Sequence, residues 1–366
     1  MINVIAPENQ TALLAGVRVV DLSQYVPGPY ATRLMADLGA DVIKVEPPGG
    51  EPMRRLMNQD GSSVSVLYNH LNRGKRILFV DLKSSSGQGQ FSQLISQADV
   101  LLDGYRPGML SKLGFSADSL RSLNGGLIHC SLSGFGVSGP DAMKAGHDLG
   151  YCAVAGMFSN TTSEGRSPQI PFPPLADHVG SLQAMNAILA ALVSRARNNR
   201  GCHLDVSLYE SVLSWQYFSG APEVTDLLSG GAAYYNIYPT KDDRFITLGA
   251  IERKFWANFC RGIKRSEWIP RYDDALPQKA LKRDVAMILK SGTLSEWQIA
   301  LSKLDCCFEP IPENKDVFAH RQTSARGLFT ESGFSYPAVI NHFATPQNSL
   351  FVDYFSLSEC HWYSRN

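Results

Sequence analysis

The sequence predicts an α/β protein: a large domain built on a doubly wound parallel sheet, followed by a smaller α+β domain. Three observations carry this prediction. Short β-branched runs alternate with helix-length stretches from Gly16 onward. The chain has 366 residues of which 44% are hydrophobic, enough to bury a large core and long enough to favour two medium domains. The texture then changes after Thr225, where glycine and aromatic residues crowd together.

In order, the strands read as VRVVDLS, ADVIKVE, RILFVDL, DVLLDG and GLIHCSLSGFG, with helices expected from Tyr30 to Leu38 and from about Gly87 to Ala98. Strand and helix in alternation imply parallel βαβ units with helices on both faces, an open Rossmann-like sheet. Apolar periodicity predicts further helices over Val179–Arg197 and Val206–Phe218, the first ending in RARNNRG, a basic last turn with a glycine stop. The stretch SGGAAYYNIYPTKDDRFITLGAIE predicts a hairpin turning at Lys-Asp-Asp and opens the small domain. The expected boundaries are 1–224 for the large domain, 225–330 for the small one, and 331–366 for a C-terminal segment that returns to the large domain.

Composition narrows the function. Lys plus Arg (34) equals Asp plus Glu (34), so no global charge recruits nucleic acid or an acidic membrane, and an anionic ligand needs local groups. No uninterrupted run reaches the roughly 20 apolar residues of a membrane span, and MINVIAPENQ lacks the pattern of a leader, so a cytoplasmic location is expected. Seven cysteines, an odd number, form no disulfide framework, and no CxxC or HExxH spacing suggests a metal.

Three segments carry chemistry. In DLSQYVPGPYATRLMADLGADVIKVEPP a strand ends in Pro27, Gly28 and Pro29 and a helix starts at once, where a phosphate would sit in an open α/β sheet; a plain Pro/Gly turn is the competing reading. NRGKRILFVDLK gathers Arg73, Lys75, Arg76 and Lys83, with Val80, Asp81 and Leu82 beside the last. DGYRPGMLSKLGF adds Tyr105, Arg106 and Lys112. Together they suit the phosphates and adenine of a coenzyme A (CoA)-like ligand, while each alone equally suits a solvated face. Finally KAGHDLGYCAVAGM places His147, a proton carrier at neutral pH, next to Asp148, which is a candidate for fixing its tautomer. About thirty residues later PPLADHVGS puts Asp177 at a helix start. A structural turn histidine and an N-cap aspartate are the competing readings.

The succession GVRVVDLSQYVPGPYATRLMADLGADVIKVEPPGG, NRGKRILFVDLK, ADVLLDGYRPGMLSKLGF, LSGFGVSGP, GHDLGYCAVAGM, PPLADHVGS, RGCHLDVSLYESV and GAIERKFW resembles the family III CoA-transferases, the CaiB/BaiF family, in order and spacing from Gly16 to Arg326. The resemblance implies a large and a small domain, two chains threaded into an interlocked homodimer, an acyl-CoA thioester as substrate, and no permanently bound cofactor, since coenzyme A arrives with the substrate. It also adds Lys144, Gly146, Asp148 and Tyr151 to the CoA-binding candidates Val80, Asp81, Leu82, Lys83, Tyr105, Arg106 and Lys112.

Within the family the sequence resembles the racemases typified by alpha-methylacyl-CoA racemase. Racemases of this type use a histidine in a GHDxxY segment and an aspartate about thirty residues later as two bases on opposite faces of the α-carbon. That implies these roles for His147 and Asp177. GAIERKFW sets Glu252 where those racemases carry a glutamate, a partner for the histidine. The alternative is a CoA-transferase with Asp177 as nucleophile; the longer glycine run of many transferases is missing here. A non-catalytic CoA-binding protein is the third reading, opposed by the intact His147, Asp177 and Glu252.

Physically, an α-proton beside a thioester is weakly acidic, so a site must stabilise the enolate while one base removes the proton and an acid opposite returns one. Asp177 is therefore expected to be partly buried with a raised pKa, and the N–H groups after Ala176 are expected to hold the enolate oxygen. Two departures from the racemases stand out. Val45 and Glu46 lead into Pro47 and Pro48, where those enzymes have an arginine, and the polar segment Phe158–Pro173 predicts a different acyl pocket.

Overall fold

Residues 12–56, 64–159, 168–327, 329–330, 333–338, 340 and 351–363 are described by the computed structural model. The amino-terminal run MINVIAPENQ and residues 160–167 of the Phe158–Pro173 segment lie outside them.

The chain forms two compact units: Met1–Met157 with Gln169–Ser214 and Ala325–Asn366, and Phe158–Pro168 with Trp215–Ser324. The first opens with β1 (Arg18–Leu22), α1 (Pro27–Asp37), β2 (Asp41–Glu46), α2 (Val66–Asn72), β3 (Arg76–Phe79), α3 (Ser85–Ile95) and β4 (Val100–Asp103). It continues with α4 (Met109–Lys112), α5 (Ala117–Leu123), β5 (Ile128–Ser133), α6 (Asp148–Val154), α7 (Leu175–Asn198), β6 (Cys202–Ser207) and α8 (Leu208–Leu213). The second unit holds α9 (Pro222–Asp226), β7 (Tyr235–Pro239), β8 (Phe245–Gly249), α10 (Arg253–Gly262), α11 (Lys279–Lys290), α12 (Leu294–Leu301) and β9 (Phe308–Pro310). After α13 (Arg321–Arg326), the short strands β10 (Phe329–Thr330) and β11 (Gly333–Phe334) pair with each other, and β12 (Val352–Tyr354) follows.

All seven strands of the main sheet run parallel in the order β12-β3-β2-β1-β4-β5-β6. The central strands are apolar because helices cover both faces; Val20, Ile43, Leu78 and Leu101 share one buried cluster with Phe91 and Leu94 of α3. Burying each such side chain contributes about 1.5–3 kcal/mol. Serine caps start the helices sharply, Ser84 accepting from the Gly87 N–H and Ser207 from the Glu210 N–H, and Asn199 ends α7 at φ 55°. Strand order reverses between β1 and β4, so the crevice beyond their carboxyl ends is where such a sheet takes a ligand.

The edges differ from expectation. β6 was not anticipated, and the helix expected over Val206–Phe218 is the short α8 followed by a 3₁₀ turn at Gln216–Gly220. As an outermost strand β6 is largely exposed, so it lacks the apolar run by which the inner strands announce themselves. At the other edge, β12 adds to β3. Helix α7 is long and apolar enough, by length and composition, to cross a bilayer. It packs on α1, α6, α8, β5 and β6 inside the first unit, and Asp177, His178, Arg195 and Arg197 shorten its uninterrupted apolar stretch.

In the second unit the expected hairpin is β7–β8, with β9 on its outer side in an antiparallel sheet. Its core joins Ile246 and Leu248 to Trp256, Phe259, Val285 and Leu289 of the helices. The Trp256 indole donates to the Trp268 carbonyl at 3.1 Å, so the buried ring keeps its polar partner.

Candidate active site

The loop after β1 reaches α1 through Pro27-Gly28-Pro29. A Cβ on Gly28 would lie 2.1 Å from Ser23 Oγ, so only glycine lets this turn fold against the strand end. Pro27 and Pro29 bring no N–H to the first turn, which leaves few donors for a phosphate there. Helix α7 starts beside it, because Ser181 Oγ lies 2.6 Å from the Pro27 carbonyl to which it donates.

His147 stands at the N-cap of α6, exposed, with an extended backbone (φ −133°, ψ 172°). The turn before it is pinned by Tyr151, whose hydroxyl donates to the Gly146 carbonyl at 2.7 Å; a Cβ on Gly146 would strike that ring at 2.6 Å. Asp177 is the third residue of α7, half-buried. It is not the N-cap, a position held by Pro174. Its N–H donates to Asp148 Oδ1 at 3.1 Å, tying the residue after His147 to the start of α7. Asp148 therefore serves α7, with no hydrogen bond to the imidazole among the described residues, and the Asp177 N–H expected for the enolate oxygen is already engaged.

The helix start favours a charged carboxylate, yet the opposite effect wins at Asp177. Burial first, then the Asp148 carboxylate, push its carboxyl up to about 6, against the pull of His178 and His147. Such a group holds a proton close to neutral pH and exchanges it readily.

Two neighbours escaped the sequence reading. Tyr25 brings its ring edge-on to the His147 imidazole, centroids 6.3 Å apart. His178 donates from Nδ1 to the Pro174 carbonyl at 2.5 Å and meets the Tyr30 ring at 5.0 Å between centroids. Both tyrosines lie in the quoted DLSQYVPGPY segment, but its glycine and prolines carried the only recognisable pattern.

The CoA-binding candidates divide. Lys83, Arg106 and Lys112 are exposed in turns or helix ends after β3 and β4, and Tyr105 is half-buried against the main core. Arg106 lies close enough to Tyr151 to favour its ionised form, although burial and Asp177 raise that hydroxyl overall. Lys144 is exposed, 3.6 Å from Asp141 and 5.5 Å from the Phe135 ring centroid. Val80 and Leu82 point into the core and offer only backbone, while Asp81 accepts from the Lys83 N–H at 3.0 Å. Arg73, Lys75 and Arg76 are buried and paired with Asp37, Asp21 and Asp41, so their cluster is structural and not a phosphate site. Glu252, exposed, is the N-cap of α10 in the second unit.

A doubly wound sheet with an imidazole and a raised-pKa carboxyl at the starts of two neighbouring helices is an α/β scaffold of the kind that carries enzyme sites. The chain belongs to CoA-transferase family III, whose profile matches residues 14–348. It is 33% identical over 337 residues to alpha-methylacyl-CoA racemase of Mus musculus, covering 89% of this chain and 84% of that one. It is also 32% identical over 363 residues to succinate–glutarate CoA-transferase of Agrobacterium fabrum, covering 92% and 90%. The crystal structure of a CaiB/BaiF family protein from Brucella suis superposes with a TM-score of 0.79 at 26% identity, covering 93% of this chain and 96% of that one.

Proposed function

We propose that this protein is an acyl-CoA racemase or epimerase that inverts the α-carbon of a 2-methylacyl-CoA-type thioester by 1,1-proton transfer. His147 and Asp177 are the two bases. One takes the α-proton, the carbonyl oxygen carries the enolate charge, and the conjugate acid of the other returns a proton to the opposite face. The observation that supports this reading is the Asp177 carboxyl, pushed up to about 6 by burial and Asp148 beside the histidine-bearing turn. Glu252 as the histidine's partner rests on resemblance alone. Lys83, Arg106, Lys112 and Lys144 take the CoA phosphates and Tyr105 its adenine, while Val80, Asp81, Leu82, Gly146, Asp148 and Tyr151 line the pantetheine path. A cytoplasmic homodimer completes the reading.

The transferase alternative draws on the 32% identity to the Agrobacterium enzyme. In it Asp177 attacks the thioester carbonyl, and the thiolate of CoA leaves. The two separate in heavy water. A chiral 2-methylacyl-CoA should lose its α-proton to solvent deuterium with the wild-type protein, and His147→Ala should lower that exchange at least a hundredfold. Movement of CoA to a free acid without exchange, with hydroxylamine or borohydride trapping Asp177, would establish the transferase instead.

A further inference from the structure

We infer that Tyr25 is a positioning residue for His147, and that a buried Lys44–Glu51 ion pair holds it there. This deepens the two-base reading and rests on it. The starting observation is conformational: Tyr25 adopts φ 62° in the loop after β1. A tyrosine in the left-handed region costs about 1–2 kcal/mol, so the surroundings must impose it.

What imposes it lies underneath. The Tyr25 N–H donates to Glu51 Oε2 at 2.9 Å, and the other carboxylate oxygen of Glu51 is 3.1 Å from Lys44 Nζ. Both side chains are fully buried. Lys44 also donates to the Ser23 carbonyl at 2.5 Å, so one ion pair grips the loop on both sides of Gln24. Ser23 is fixed in turn by its N–H to Asp21 Oδ1 at 3.0 Å, and Asp21 takes Thr32 Oγ1 at 2.7 Å and Lys75 Nζ at 3.0 Å. Burying four charges beneath a single loop is expensive, and a network of this kind is most useful where it specifies one conformation.

The conformation it specifies presents the phenol ring to the imidazole. The two rings are perpendicular, with an interplanar angle of 89°, and both side chains are exposed. An exposed histidine at a helix N-cap otherwise samples several rotamers. The ring edge closes one side of that range and holds the base in line for a proton on a fixed carbon. The hydroxyl has no part in this, which makes Phe the informative replacement.

The test follows α-proton exchange of a chiral 2-methylacyl-CoA in heavy water for wild type, Tyr25→Ala, Tyr25→Phe and Glu51→Ala, with thermal melting alongside. Tyr25→Ala should lower kcat between about ten- and a hundredfold while KM stays within about twofold, the signature of lost alignment with binding intact. Tyr25→Phe should restore kcat to within about threefold of wild type. Glu51→Ala, if folded, should behave like Tyr25→Ala. A Tyr25→Ala kcat within about twofold of wild type, or a Phe variant as slow as the Ala one, overturns the positioning role alone. A wild-type protein that exchanges no α-proton overturns the two-base reading and this inference with it.

Discussion

Lys44 and Lys75 lie within the same unit as Lys83 and Lys144, yet the first two are entirely buried and the last two exposed. Lys44 sits inside β2 and Lys75 in the turn before β3, and both direct their ammonium groups to carboxylates under the β1 loop. Lys83 and Lys144 sit in loops beyond the strands, open to an incoming anion. The same side chain is therefore internal scaffolding or an exposed surface cation according to its distance along the strand, and charge alone does not tell which.

Removing a buried member should have the largest effect. Lys75→Met strips Asp21 of a partner at 3.0 Å, and breaking a buried pair costs about 3–5 kcal/mol. Denaturant unfolding would measure it, and the double variant Asp21→Asn/Lys75→Met should regain part of the loss. A cost under about 1 kcal/mol would erase the distinction between the two kinds of lysine.

On the acidic side the contrast is between Asp21 and Asp177. Burial pushes Asp21 up, but Lys44 and Lys75 outweigh it and hold the carboxyl well below its usual range. Among the described residues Asp177 has no lysine or arginine paired with it, and it sits at about 6. Because its folded pKa lies above the unfolded one, the site costs nothing below pH 4 and progressively destabilises the fold as pH rises through 6. Asp177→Asn should therefore stabilise the protein by on the order of 1–2 kcal/mol at pH 8 and by nothing near pH 4, with partial exposure allowed for. Melting curves at the two pH values read this directly. Equal shifts at both would deny Asp177 its raised pKa.

The smallest effects belong to the exposed cations. Lys83→Ala or Arg106→Ala should raise KM for acyl-CoA about three- to tenfold at low salt, and less at 0.5 M salt where screening takes over. Stability should move by no more than about 0.5 kcal/mol. A salt-independent KM would remove these residues from the phosphate path.

The sheet was legible where strands are buried on both faces, since VRVVDL, DVIKVE and DVLLD read as apolar runs. It was illegible at its rims, where β6 is exposed and β12 is three residues long. At the site, a motif resemblance singled out His147 and Asp177, whereas nothing in DLSQYVPGPY singled out Tyr25. The misassigned Arg73-Lys75-Arg76 cluster has a plain cause: Lys75 finds Asp21 from 54 positions away, and no local spacing encodes such a partner.

The far end of the chain supplies several pieces of the first unit. β12 extends the sheet beside β3, Asp353 pairs with Arg54 at 2.7 Å, and Cys360 and Trp362 are buried in the cluster around Val20. On the ribosome, then, the half of this unit made first waits for a part made about 150 residues later. Its sheet keeps an open rim until residues 352–362 emerge, and a nascent chain stalled before them presents that rim to any passing strand.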